Sequence, residues 1–112
     1  LKELTKFPSL KGLKCENLGL TDADAPFIAN LPLENLDLTY NHLTSRGIEI
    51  LTSSKFLMRL DCNNQVWMND KTISPDTLSK KLNQYKVAAL IFQKSRSGRQ
   101  IRWDYSGSDP CK

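Results

Sequence analysis

The chain has 112 residues, 39% of them hydrophobic and 25% charged, with a formal net charge of +4, the profile of one ordinary globular domain or part of one. Its longest apolar run, VAALIF at 87–92, falls far short of the ~20 residues of a membrane-spanning helix, and no basic start leads into an apolar stretch as in a secretory signal. The asparagines carry no Asn-x-Ser/Thr glycosylation acceptor, which argues against a secreted glycoprotein.

The first residues, LKELTKFPSL, open without methionine and read as the tail of a repeat whose strand lies upstream, in a fragment of a longer chain. From residue 10 one arrangement then occurs three times. Leu10, Leu13, Cys15 and Leu20 align with Leu33, Leu36, Leu38 and Leu43 at an offset of 23, and these with Leu57, Leu60, Cys62 and Trp67 at an offset of 24. Within each block the period-two order predicts a short strand: Leu36 and Leu38 face one way, Asn35, Asp37 and Thr39 the other. The chain must then turn back, and Asn41 stands where backbone groups lose their ladder partners. An amide side chain, with two donors and an acceptor, can satisfy them there. The equivalent slots hold Leu18 and Gln65, so such a series of amides is partial. Beyond the turn, Ala25 and Ile28 in one block, and Gly47, Ile48 and Leu51 in the next, predict short helices on the outer side. Pro8 and Pro32 punctuate the return to the following strand.

Past Trp67 the repeat stops. In ISPDTLSKKLNQYK, Ser74 is placed as N-cap, Pro75 as first helical residue and Asp76 near the positive end. Leu78, Leu82 and Tyr85 form a packing face, with Lys80, Lys81 and Lys86 on the other side. VAALIFQK and RQIRWDYS, separated by SRSG, read as a β-hairpin in which Ile101, Trp103 and Tyr105 alternate with Arg102 and Asp104; the rival reading extends the helix through Phe92. The expected domains are therefore repeats over 1–67 (a partial unit at 1–9, then units from about 10, 33 and 57) and a cap over 68–112. The cap comprises a helix at about 75–86, a hairpin at about 87–106 and a tail at 107–112. It covers the leucines that the last repeat leaves exposed. No matching cap is visible before Leu1, which opens self-association through that edge as a possibility.

The order L-x-x-L-x-L-x-x-N-x-L, matched at every position from Leu33 to Leu43, resembles the leucine-rich repeat family, and the resemblance covers roughly residues 1–67. It implies an α/β solenoid of about three short parallel strands with outer helices or turns, and a ladder of stacked asparagines. It also implies binding of another protein on the concave strand face. Each unit hides its leucines only against its neighbours, so three strands are near the minimum.

Cys15 and Cys62 take the slot of Leu38, so they read as buried free thiols. Two strand spacings, about 10 Å, separate them, beyond the ~7 Å limit for a disulfide. Free buried thiols favour a reducing, cytoplasmic compartment; Cys111 lies near the end and reads as exposed. Three cysteines and one histidine at 15, 42, 62 and 111 make no zinc spacing. His42 has no triad built around it, Gly98 and Gly107 are isolated turn glycines, and Asp22 and Asp24 suit N-capping. Neither an enzyme nor a cofactor is expected.

Recognition is left. The outward strand positions make a grid of Gly12, Lys14 and Glu16, then Asn35, Asp37 and Thr39, then Arg59, Asp61 and Asn63, flanked by Tyr40 and Met58. None is required by the leucine core. The first expectation is a partner protein bound on this grid through Lys14, Glu16, Asn35, Asp37, Thr39, Tyr40, Arg59, Asp61 and Asn63. A second arises because residues 1–70 hold seven basic and nine acidic residues, net −2, whereas residues 71–112 hold nine and three, net +6. Arg96, Arg99 and Arg102 beside Trp103 and Tyr105 could bind nucleic acid or another anionic surface. The third is a structural role, the capped end of a longer solenoid.

Overall fold

The computed structural model describes residues 11–103. The partial unit at 1–9, Leu10, Tyr105, Cys111 and the tail lie outside them. Four three-residue strands, β1 (Gly12–Lys14), β2 (Asn35–Asp37), β3 (Arg59–Asp61) and β4 (Gln100–Arg102), form one parallel sheet in chain order. Three helices, α1 (Ala25–Ala29), α2 (Ser45–Thr52) and α3 (Pro75–Lys94), alternate with them and pack side by side, α1 on α2 and α2 on α3. The protein is thus α/β, with one sheet and one layer of helices.

The register is that of the internal repeat. Leu13 pairs with Leu36 and Leu36 with Leu60, and Leu36, Leu38, Leu57 and Leu60 are buried with Ile48 and Leu51 of α2. Both helices expected after the turns form, with Ala25 and Ile28, then Gly47, Ile48 and Leu51, facing the core. Thr44 caps α2 and also binds the Asp22 carboxylate of the preceding unit through its amide and hydroxyl. Gly47 is fixed by this junction: a Cβ there would strike Asp22 Oδ1 and approach Leu43 Cδ2 to 2.9 Å.

Buried backbone groups must be paired, and the turns achieve this with amides. Asn41 Oδ1 accepts from the N–H groups of Leu18 and Leu20, both at 3.0 Å. Its Nδ2 donates to the carbonyls of Cys15 (2.7 Å) and Leu38 (3.0 Å). Gln65, one methylene longer, does the same one unit on, accepting from Leu43 N–H at 2.9 Å and donating to Leu38 O at 2.8 Å. The series therefore has two amide members. Leu18, in the first slot, is 61% exposed, and the neighbouring Asn41 serves its N–H.

The C-terminal segment departs from the expected helix and hairpin. Ser74 caps α3 and Pro75 opens it, as the sequence predicts. The helix then continues past Lys86 to Lys94, and Gln100–Arg102 pairs parallel to β3 instead of antiparallel to 87–94. Among the described residues no hairpin forms beyond 87; the alternative in which the helix runs through Phe92 describes the chain. Tyr85, Ala88, Ala89 and Phe92 explain this, since they lie at i, i+3, i+4 and i+7, fall on one face and are all buried. Tyr85 joins the parts: its ring meets Trp67 and Trp103 edge-on at 5.6 and 6.0 Å, and its hydroxyl donates to Cys62 O at 3.0 Å. In sheet terms Ile101 takes the place beside Leu60 that Leu36 takes on the other side, so α3 and β4 add another strand–helix step of greater length.

Cys15 and Cys62 are buried and free, one on each side of the middle strand's Leu38: Cys15 N–H donates to Asp37 O and Leu38 N–H to Asp61 O. Burial pushes both thiols up, Cys62 to about 12. No helix among the described residues is long and apolar enough to cross a membrane.

Candidate functional site: the outward face of the sheet

Because successive strand residues alternate faces, burying Leu13, Leu36, Leu60 and Ile101 leaves their neighbours pointing outward. Parallel in-register pairing sets these into two rows. One runs Gly12, Asn35, Arg59, Gln100 and the other Lys14, Asp37, Asp61, Arg102. They line an open depression of about 640 Å³. The second row reads positive, negative, negative, positive across four adjacent strands.

The members differ in how far the fold has already used them. Asp37 accepts from the Thr39 hydroxyl at 2.7 Å and the Thr39 amide at 3.0 Å. Burial alone would raise its pKa, but those two bonds and the charge of Lys14 help to outweigh it and hold the carboxyl below its ordinary value. Thr39 is buried, so its hydroxyl supports Asp37 and is not presented outward as expected. Lys14 and Glu16 are exposed and 3.9 Å apart; Asn35 is exposed and Asn63 half-buried. Arg59, Asp61 and Arg102 make no side-chain hydrogen bond or ion pair among the described residues. Like charges directly opposite one another on a sheet are unfavourable, and Asp37 opposite Asp61 is such a pair. Tyr40 follows the β2 strand in a left-handed turn, φ 59°, and is 48% exposed.

The three arginines considered as an anion site do not share a surface. Arg96 is exposed and donates to Lys55 O. Arg99, expected at an exposed tip, is 4% exposed. Its guanidinium donates to the carbonyls of Leu57 (2.8 Å), Thr52 (2.9 Å) and Ser54 and to Ser95 Oγ (2.8 Å), and lies 4.5 Å from the Phe92 ring centroid. Burial, then the charge of Arg96, lowers its pKa. The residue closes the C-terminal end of α2 against the chain entering β3. The sequence shows a basic cluster there but not the carbonyls that take up one of its members. Arg102 belongs instead to the outward face, as does Gln100; sequence reasoning leaves both off the face because it pairs their strand as a hairpin.

Among the described residues, no group of three or more His, Cys, Asp or Glu side chains is placed to hold a metal ion, and His42 is exposed. The outward face can offer hydrogen bonds and charges in fixed register. No protein-family model matches the chain, and it gives no match to a curated protein or to a solved structure.

Proposed function

We propose that the chain is a leucine-rich repeat solenoid segment whose outward strand face binds another protein, without catalytic activity of its own. The repeat reading is supported by the order from Leu33 to Leu43, the side-by-side Leu13, Leu36 and Leu60, and the amide contacts of Asn41. The observation that carries the binding role is the set of free charges on a rigid face. Arg59, Asp61 and Arg102 are neither needed by the core nor paired within the described residues. An interface that supplies their counter-charges gains orientation and specificity from them.

The test replaces these three together, as Arg59→Ser, Asp61→Ser and Arg102→Ser, and measures affinity for a protein captured with the wild-type chain. Because none of their side chains makes a hydrogen bond or ion pair within the described residues, the variant keeps the wild-type circular dichroism spectrum. Its affinity falls by about tenfold or more, equivalent to about 1.4 kcal/mol. Wild-type affinity in the folded variant removes this face from consideration.

A further inference from the structure

Tyr40 stands in a backbone conformation that its side chain does not favour. Asn17, Tyr40 and Asn64 occupy equivalent turns and share positive φ angles of 54°, 59° and 48°. Asparagine tolerates the left-handed region because its short polar side chain bonds locally, whereas a bulky aromatic residue there crowds its own backbone. Tyrosine is thus the strained member of a set that the other two units fill with asparagine.

Tyr40 is 48% exposed, and among the described residues its ring meets no other aromatic and its hydroxyl makes no hydrogen bond. Only its backbone N–H is used, donating to Asn63 O at 3.2 Å, a bond that asparagine makes equally well. An exposed aromatic at the strained turn that follows β2 has the character of an interface anchor: large contact area, few rotors and a polar tip.

We propose that Tyr40 is the aromatic anchor of the strand-face interface, flanking an extended segment of a partner protein whose basic side chain lies against Asp37 and Asp61. This rests on the strand-face reading above and specifies its anchor and the chemistry of its partner. Charge complementarity selects the basic side chain, because Asp37 and Asp61 are in-register neighbours and a cation between them turns a repulsive pair into two attractive ones. The extended form follows from the period of the face, since side chains of a strand-like segment alternate as those beneath them do.

The test uses Tyr40→Asn and two independent readouts. In thermal unfolding the variant gains stability, with Tm raised by a few degrees, because the turn is relieved. A lowered Tm makes Tyr40 part of the fold and overturns the proposal. For binding, a phage-displayed library of random linear peptides is panned on the wild-type chain and the selected sequences are synthesised. They carry a Lys or Arg, and they bind Tyr40→Asn about tenfold or more weakly. Peptides that bind Tyr40→Asn as well as wild type, but lose the Arg59/Asp61/Arg102 serine variant, overturn the anchor and leave the strand-face reading standing. Peptides indifferent to both variants, peptides without a basic residue, or an empty selection overturn the proposal; indifference and an empty selection also remove the reading beneath it.

Discussion

The repeat region, residues 11–67, and the C-terminal segment, residues 68–103, meet the same demand with different chemistry. In both, carbonyls leave the ladder or a helix end in a place closed to water. The repeats satisfy them with neutral amides: Asn41 and Gln65 each reach back to the preceding unit, accepting from one of its amides and donating to one of its carbonyls. The C-terminal segment uses a cation, Arg99, on the carbonyls of Thr52, Ser54 and Leu57. An amide can recur at every unit because it brings no net charge into the interior. A buried guanidinium needs special surroundings: the negative end of the α2 dipole, several oxygens at fixed positions and the face of Phe92. Repetition favours a neutral donor–acceptor, whereas the segment after the last repeat can use a stronger donor once.

That contrast can be broken most directly at Arg99. Arg99→Ala leaves buried carbonyls without donors, and urea unfolding should show a loss on the order of 4 kcal/mol. Arg99→Lys keeps the charge but not the planar fork, so it recovers only part. A near-neutral Arg99→Ala would mean that water replaces the guanidinium freely and that the two regions differ less than their bonds suggest. Next in size are the amides. Asn41→Ala should cost about 3 kcal/mol and Gln65→Ala about 2 kcal/mol, since Asn41 serves two amides and Gln65 one. The reverse order in denaturant midpoints would show that the longer side chain carries the junction.

The smallest effect sharpens the boundary between the regions. Cys62 stands on it, with its N–H bonded to Arg102 O and its carbonyl accepting from Tyr85. Its folded pKa, about 12, lies above the ordinary 9.0. The protonated thiol is therefore favoured in the folded state, and its stabilisation is complete below pH 9 and lost as pH rises towards 12. Across that window the contribution of Cys62 declines as pH rises. Cys62→Ala should unfold with a correspondingly flatter alkaline dependence than wild type. Equal slopes would place the thiol in contact with water.

The repeat region was legible because its signal is long and redundant. Three aligned blocks agree on which leucines are buried, and Asn41 announces its task by type and place. Gln65 was harder to recognise as a second amide because its side chain is longer, yet it makes the equivalent bonds to Leu43 N–H and Leu38 O. The C-terminal segment was ambiguous for a physical reason. VAALIF is apolar on all sides, with Ala88, Ala89 and Phe92 inward and Val87, Leu90 and Ile91 exposed, so its periodicity does not separate a helix from a buried strand. Taking it as a strand made Ile101 an antiparallel partner and hid the parallel step beside Leu60. The outward face was legible for its first three strands and lost Gln100 and Arg102 through the same error. The burial of Arg99 was beyond sequence reasoning, because its acceptors lie more than forty residues away along the chain.

The in-register sheet also separates two kinds of mutational freedom. A substitution at Asn35 or Asp61 alters what the surface offers, while the leucine beside it on the same strand is untouched. Change in what the face presents and loss of the fold therefore run through different codons, and this surface can be altered by small steps while the core keeps its leucines.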